Sequence, residues 1–429
     1  MLLGGGSITA IEVSIPDIPY SVFALENGLK VYVVEDKSIP LVELTIYYKV
    51  GAIDEEKGLT GISHFLEHTM FLGTKALGKG QIDQLITGVG GHFNAVTSND
   101  VTYYYSEVPS SMLELVVAME ADRMGNLVID PIEVEREREV IRQERRSSIE
   151  NNVFTAGLEQ IQAAAFPNSS LNHQVIGWMD DINNITVDDL TRFYETYYAP
   201  NNAVMVVTGD VELDEVRELT QRYFGHYSSV EINRPEFLIE QQSEELKLEI
   251  KLHTNVPITA MLYPIPAGNH QDTMAINVFL NILVNNASSR IKQELQKMQN
   301  IILETGAFSL EMREPGFALI YVVPSSVELI DVAQNAFDTE LARIISDGID
   351  QVELDVVKKA VLKNLIFSQR ESSTMATTIA IGSLRFDNPD FYQEQIRMLN
   401  ELTVSDIIKI VQEYFTPENR TVGNIVPIN

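Results

Sequence analysis

The sequence contains an internal repeat with an offset of 217 residues. Residues 182–190 (INNITVDDL) reappear as residues 399–407 (LNELTVSDI), and residues 198–202 (YAPNN) reappear as residues 415–419 (FTPEN). In both copies the Thr-Val-x-Asp step is typical of a capped helix start, and the Pro-x-Asn step is typical of a turn into a strand. Repetition at one fixed offset indicates two homologous structural units.

Within each unit, strand-like and helical patterns are interleaved. Residues 44–50 alternate between apolar and more polar side chains, which predicts a half-buried strand. Between residues 113 and 120 the spacing becomes helical, and Asp130 followed by Pro131 predicts the start of another helix. Strands mixed with long helices predict an α/β (α+β) chain.

We therefore expect two homologous α/β domains, each a largely antiparallel sheet packed with helices. The expected limits are residues 1–228 for the first domain and 246–429 for the second, with a polar linker over residues 229–245.

Composition excludes several classes of function. Lys and Arg number 31 against 61 Asp and Glu, which gives a formal net charge of −30. A surface of that sign repels phosphate backbones and anionic lipid, so we expect no nucleic-acid partner and no binding to a membrane surface. The chain has no Cys, so any metal must be held by His and carboxylate side chains.

Neither a membrane span nor a signal peptide is expected from the sequence. No apolar run approaches the roughly 20 residues that cross a bilayer. The first residues, MLLGGG, lack a basic segment followed by a long apolar one. These features predict a soluble protein of the cytoplasm or of the periplasm, and they do not choose between the two compartments.

The motif H-x-x-E-H occurs once, at residues 64–68. On a helix, residues four apart share a face, so His64 and His68 can direct two ring nitrogens at one metal ion. Glu67 borders that face and could act as a base toward a water molecule on the metal. The pattern is a known metallopeptidase signature, although a surface helix with two histidines would look the same.

A hydrolytic zinc site needs three protein ligands and one position left for water. The charged segment at residues 132–146 is the best source of the third ligand, since Glu137 and Glu144 lie two helical turns apart on one face. Alternating charges are, however, usual on solvated helices. His92 and His173 compete for the same role, and spacing alone does not decide among the four.

Residues 90–105 begin with a glycine pair followed by residues that favour strands. This pattern predicts a strand entered through a tight turn, either at a sheet edge or inside an ordinary sheet. An edge strand can bind an extended peptide through main-chain hydrogen bonds.

These motifs resemble those of the pitrilysin/insulinase-type zinc peptidases (inverzincins), and most of all the short forms built like mitochondrial processing peptidase subunits and bacterial processing proteases. The resemblance covers nearly the whole chain. It implies Zn²⁺, one per chain, with ligands His64, His68 and Glu144, because family members carry a ligand glutamate about 76 residues after the second histidine. It also implies that Glu67 is the general base and that Glu137 orients the site.

The resemblance further implies a peptide bound along the strand at Phe93, Asn94 and Ala95. In such a family the two α/β halves form one side of a clamshell chamber, and only one half keeps the metal motif. At the offset of 217, His64 and His68 correspond to Asn281 and Asn285, so the second half cannot hold zinc in this way.

One departure from the family pattern concerns a substrate-gripping Arg and Tyr in the second domain. The segment Ser289-Arg290-Ile291 is present, but Gln296 stands where the Arg is expected, and no G-L-x-Y follows. Either Arg290 or Arg313 substitutes for the missing Arg, or a homologous partner chain without the zinc motif supplies the pair.

The sequence therefore predicts a zinc-dependent endopeptidase that acts on extended or unfolded peptides, as the zinc-bearing subunit of a dimer. Two alternatives remain at this point. The chain could be a non-catalytic peptide-binding or scaffold subunit of a larger assembly, or its zinc could be purely structural with a closed fourth position.

Overall fold

The computed structural model describes residues 18–297, 301–368 and 372–428, which form two β-sheets covered by helices. The strands of the first sheet are β1 (Ser21–Ala24), β2 (Lys30–Glu35), β3 (Leu41–Tyr48), β4 (His92–Thr97), β5 (Thr102–Pro109) and β6 (Ala203–Gly209). Those of the second sheet are β7 (Leu246–Leu252), β8 (Ile258–Ile265), β9 (Ile302–Leu310), β10 (Gly316–Pro324) and β11 (Thr421–Pro427).

The α-helices are α1 (Ile62–Thr69), α2 (Gln81–Gly88), α3 (Leu113–Asn126), α4 (Pro131–Arg145), α5 (Val153–Ala165), α6 (Met179–Asn184), α7 (Val187–Tyr197), α8 (Leu213–Phe224), α9 (Thr273–Leu280), α10 (Arg290–Lys297), α11 (Ile330–Asp347), α12 (Gln351–Ser368), α13 (Ser372–Phe386), α14 (Phe391–Glu401) and α15 (Val404–Tyr414). Two π-helical segments, Arg146–Glu150 and Asn281–Asn285, directly follow α4 and α9.

The two sheets have matching strand orders. The first is β1-β2-β6-β3-β5-β4 and the second is β7-β11-β8-β10-β9, so within the described residues every strand of the first sheet except β1 has a counterpart in the second. In the part of the chain that the structure describes, each sheet has one parallel strand pair, β2–β6 in the first and β7–β11 in the second. The other neighbouring pairs are antiparallel. The predicted α/β architecture with two largely antiparallel, helix-packed sheets is confirmed.

The repeated sequence segments form the same local structure in both halves. Thr186 and Asp189 make a reciprocal capping box at the start of α7, and Thr403 and Asp406 make the same box at the start of α15. Each box satisfies backbone N–H groups that the first helical turn leaves free. A 3₁₀ turn then leads into the next strand, as the Pro-x-Asn pattern predicts.

One helix from each half lies on the sheet of the other half. Helix α5 packs against β7, β8 and β11, and α13 packs against β3 and β6. The two helices occupy equivalent positions of the repeat, since α5 begins at Val153 and residue 370 is its counterpart at the offset of 217. The contact of α5 with β11 is close: a Cβ atom added to Gly157 would lie 2.0 Å from Cδ1 of Ile425.

The expectation that residues 44–50 form a half-buried strand is wrong in one respect. Strand β3 is buried on both faces, and the Tyr47 side chain that alternation assigned to solvent is 1% exposed. The cause is α13, whose residues Ala376, Ile379 and Ala380 cover this face. The Tyr47 hydroxyl lies 2.9 Å from the Thr377 Oγ1 atom.

Residues 228–245 contain neither helix nor strand, and β7 begins at Leu246. The domain limits 1–228 and 246–429 stay a prediction. The two halves are not separated by packing, because α5 and α13 each lie on the sheet of the opposite half. Over residues 18–297, 301–368 and 372–428, none of the helices has both the length and the apolar character that crossing a bilayer requires.

Candidate metal centre and active site

Helix α1 carries the H-x-x-E-H motif and is anchored at its start and along its apolar side. The Glu55 carboxylate accepts hydrogen bonds from the N–H groups of Gly61 (2.7 Å) and Ser63 (2.9 Å), which caps the first turn. Phe65 and Leu66 are completely buried in the core of the first half. This burial fixes the rotation of α1 about its axis and therefore the direction of the two histidines.

Helix α4 brings the distant carboxylates to these histidines. It begins at the predicted cap, Asp130, and packs across α1. Glu144 Oε1 lies 3.7 Å from Nε2 of His64, and Glu144 Oε2 lies 3.4 Å from Nε2 of His68. Among the residues that the structure describes, His64, His68 and Glu144 are the one group of three that could hold a metal ion, with a ligand atom from each within 4.8 Å of the others.

The other candidates for the third ligand lie elsewhere. Glu137 Oε1 lies 2.8 Å from Nδ1 of His68, on the side of the ring away from Glu144. His92 is exposed at the start of β4, 3.7 Å from Glu107. His173 is buried, and its Nδ1 bonds the main-chain oxygen of Gln174. Of the four alternatives that spacing left open, only Glu144 faces both histidines.

Burial and the neighbouring carboxylates shift the pKa values of the two histidines in opposite directions. Burial and the neighbouring His68 lower the pKa of His64, so its ring is held neutral, which is the form that binds metal. Burial also opposes the charged form of His68, but the hydrogen bonds with Glu137 and then Glu144 outweigh it and raise the His68 pKa to about 9. A divalent cation at this point would replace that proton.

Glu67 lies beside the three potential ligands but does not belong to their group. Its side chain is largely buried, and burial raises its pKa. The Thr97 hydroxyl donates to Glu67 Oε2 over 2.5 Å. Thr97 was not singled out from the sequence; the available signal was its place at the end of residues 90–97 (GGHFNAVT), in the strand beside α1.

Strand β4 is the last strand of the first sheet, as one of the two interpretations of residues 90–105 predicted. Phe93 packs against Phe71 with ring centroids 5.6 Å apart, while Asn94 is exposed. The N–H group of Ala95 donates to the side-chain oxygen of Asn94 over 2.9 Å, not to another strand. The role of Phe93, Asn94 and Ala95 in binding substrate stays a prediction.

The corresponding region of the second half has a different chemistry. Asn281 and Asn285 lie on the π-helical segment after α9, and the residue in place of Glu67, Val284, is buried in the core. The Asn285 side chain donates to the Ala307 oxygen (2.9 Å) and accepts from the Ala307 N–H (3.0 Å). Asn285 is therefore the hydrogen-bond partner of the N–H and C=O groups of Ala307 in the edge strand β9.

Comparison with known families identifies the chain. A family model described as "Insulinase (Peptidase family M16)" matches residues 30–177, which include α1, β4 and α4, and one described as "Peptidase M16 inactive domain" matches residues 184–361. The chain belongs to the insulinase family of peptidases. All three potential ligands lie in the part matched by the insulinase model, and the part matched by the inactive-domain model contains none of them.

Relatives of this insulinase-family chain match over almost its whole length. It is 28% identical to "Zinc protease PqqE" of Helicobacter pylori over 94% of this chain and 92% of that protein. It is 25% identical to the mitochondrial-processing peptidase subunit beta of Bos taurus over 95% of this chain and 84% of that protein. The crystal structure of a protease from Helicobacter pylori has a TM-score of 0.89 at 27% identity, covering 96% of this chain and all of that one.

The two arginines that could replace the family's substrate-gripping Arg are both held within the chain. Arg290 forms a bidentate pair with Glu353 at 3.0 and 2.7 Å. Arg313 donates to Asp54 at 2.6 Å and to the main-chain oxygen of Asp100 at 2.9 Å. The side chain of Gln296 and residues 298–300, where the sequence departs from the family pattern, lie outside the part that the structure describes.

Proposed function

We propose that this chain is a zinc-dependent endopeptidase whose metal ligands are His64, His68 and Glu144. The observation that carries the proposal is the convergence of two imidazole Nε2 atoms and one carboxylate from helices far apart in sequence. Two His and one Glu are a ligand set that zinc hydrolases use, with a fourth position left for water. The 43% exposure of the Glu144 side chain leaves solvent access to the group.

A bound zinc ion would supply a Lewis acid for the peptide carbonyl and lower the pKa of the attacking water. Glu67 would accept the proton of that water and return it to the leaving nitrogen. Its raised pKa suits this exchange, since a carboxylate with an ordinary pKa is a weaker base. Thr97 would hold the Glu67 carboxylate in position through its hydroxyl.

Glu137 would act through His68 and not on substrate. Its hydrogen bond with Nδ1 leaves Nε2 of His68 directed at the metal and makes the ring a stronger ligand.

The substrate would be an extended peptide that adds to the edge of β4. A peptide carbonyl could replace the Asn94 side chain as acceptor of the hydrogen bond from the Ala95 N–H. Main-chain hydrogen bonds of this kind tolerate many peptide sequences. Phe93, Asn94 and Ala95 would then line the peptide, and folded domains would be excluded from a clamshell chamber.

We further propose that the active form is a dimer in which a homologous chain without the zinc motif supplies the Arg and Tyr. The ion pairs Arg290–Glu353 and Arg313–Asp54 support this proposal. Either guanidinium would have to break its ion pair before it could bind a peptide. The mitochondrial-processing peptidase relatives carry the name "subunit beta".

The test is an assay on internally quenched peptides, with the purified chain alone and with any homologous chain that co-purifies. We expect weak cleavage by the chain alone, strong cleavage by the pair, loss with a chelator and recovery with zinc. Robust cleavage by the chain alone would contradict the dimer proposal. No cleavage under any of these conditions would favour a scaffold role, which the match of residues 184–361 to the inactive-domain model also leaves open.

A further inference from the structure

Arg145 directly follows Glu144 at the end of α4 and is buried in a dense set of hydrogen bonds. Its NH1 group donates to Glu159 Oε1 (2.8 Å) and to the main-chain oxygen of Gly177 (2.6 Å), and NH2 donates to Glu159 Oε2 (2.9 Å). The two side chains are 5% and 8% exposed. A bidentate pair of this kind fixes both partners in one geometry.

The Gly177 contact connects Arg145 to the start of α1. Gly61, the residue before α1, and Gly177 both have positive φ angles and lie in close contact. A Cβ atom on Gly61 would lie 2.3 Å from the Ile176 oxygen, and one on Gly177 would lie 2.2 Å from the Thr60 oxygen. The segment around Gly177 is thus held between Arg145 and α1, and the two helices that carry the potential ligands are joined at this point.

The backbone changes from α-helical to π-helical just beyond Glu144. From Arg146 the helix continues as a π-helical segment to Glu150, a form that is rare and often marks a functional site. Arg145 lies at the junction of the two helical forms, and its side-chain hydrogen bonds hold the backbone directly beside Glu144.

Glu159 belongs to α5, whose position is set by the second sheet. Gly157 packs on Ile425 of β11, and a Cβ atom on Gly423 of the same strand would lie 2.2 Å from Cγ1 of Ile161. A displacement of α5 relative to β11 would therefore move the Glu159 carboxylate and, with it, Arg145.

We propose that Arg145 and Glu159 are positioning residues for Glu144, and that through them zinc affinity in the first half depends on how α5 packs on the second sheet. This inference rests on the metal site proposed above. It gives the second half a role in the metal site although it holds none of the ligands.

The first experiment compares zinc affinity, by competition with a chromophoric chelator, in the wild type, E159Q and E150Q. We expect E159Q to bind zinc 10- to 100-fold more weakly, the range found when a residue behind a ligand is lost. E150Q is the matched control, because Glu150 lies 3.7 Å from the same arginine with its side chain 45% exposed; its affinity should stay within about twofold.

Cobalt in place of zinc gives a readout that a general loss of stability would not change. The visible absorption of bound cobalt reports the ligand geometry, so E159Q should alter the spectrum at saturating metal while E150Q should not. Unchanged affinity and an unchanged spectrum in E159Q would overturn the proposal.

The second experiment tests the connection to the second sheet without touching any charged residue. G157A should weaken zinc binding because its new methyl group meets Ile425, and G157A/I425A should restore binding because that side chain is truncated. If G157A binds zinc as the wild type does, the connection through α5 is wrong. A wild type that binds no zinc at all would instead contradict the proposed metal site, so the two failures are distinguishable.

Discussion

The two halves of this chain share one sheet topology but differ in the helix that follows β3 in the first half and β8 in the second. In the first half, α1 directs His64 and His68 at Glu144, and the Ala95 N–H of edge strand β4 is occupied only by its neighbour Asn94. In the second half, Asn285 takes the place of His68 and bonds both main-chain groups of Ala307 in β9.

The difference shows that the fold by itself specifies no metal site. At the offset of 217, Val361 stands in place of Glu144, so the residues at all three positions of the proposed ligands differ between the halves. The same position on the fold holds the proposed metal ligands beside an available strand edge in one half, and in the other half a side chain that bonds that edge.

The largest effect is expected when the first half is given a residue of the second. H68N removes one imidazole, so zinc content should fall from one ion per chain toward zero, and peptidase activity should be lost with it. Metal analysis of the dialysed protein, together with the quenched-peptide assay, checks this.

The reverse exchange, N285H, serves as the control for that comparison. It should create no second zinc site, because Val361 cannot serve as a ligand, and it should lower the melting temperature through the lost bonds to Ala307. Two zinc ions per chain in N285H would contradict our account of the second half.

The next largest effect separates catalysis from metal binding in the first half. E67Q keeps the shape of the side chain but removes the base, so the cleavage rate should fall by about 10²-fold or more while zinc content stays at one ion per chain. Normal cleavage by E67Q would show that Glu67 is not the base.

Removing the hydrogen bond behind His68 should have an intermediate effect. E137Q leaves His68 in place but replaces the carboxylate that bonds Nδ1 with a neutral amide. Zinc affinity should drop by roughly 10- to 100-fold, with activity recovering at high zinc concentration. A zinc titration of activity measures this; an unchanged midpoint would assign Glu137 no such role.

A smaller effect is expected at Thr97. T97V removes the hydroxyl that bonds Glu67, and a typical intramolecular hydrogen bond contributes a net of about 0.5–1.5 kcal/mol, so kcat should fall roughly 3- to 10-fold with zinc binding unchanged. T45V is the matched control, since Thr45 bonds Glu43 in the same way within the same sheet. Equal losses in the two variants would mean that Thr97 acts only through stability.

The smallest effect concerns a buried carboxylate of the second half. Burial raises the pKa of Glu311, although hydrogen bonds from Asn277 and Ser309 oppose this, so its ionised form costs folding free energy above its ordinary pKa of 4.5. E311Q removes that cost. Its melting temperature should exceed that of the wild type at pH 8, and the difference should vanish below pH 4.5; a difference independent of pH would contradict the assignment.

The parts of the fold and site that the sequence predicted are those carried by local patterns. The capping boxes of α7 and α15 follow from four residues each, and the helix through His64 and His68 follows from i,i+4 spacing. The assignment of Glu144 came from family resemblance, since spacing alone left Glu137, His92 and His173 as alternatives.

What the sequence did not predict depends on packing between distant segments. Nothing near Tyr47 indicates that α13, more than 300 residues later, covers it. For the same reason Thr97 and Arg145 looked like an ordinary strand residue and one more charge on a helix, until the fold brought them to Glu67 and Glu159.

The most direct test of the central claim, that only the first half binds zinc, is anomalous diffraction at the zinc absorption edge from crystals of the zinc-loaded protein. We expect one strong peak per chain, about 2.0–2.2 Å from Nε2 of His64, Nε2 of His68 and a carboxylate oxygen of Glu144, with a fourth position that no protein atom fills. A peak beside Asn281 and Asn285, a fourth protein ligand on the metal, or no peak near His64 would contradict it.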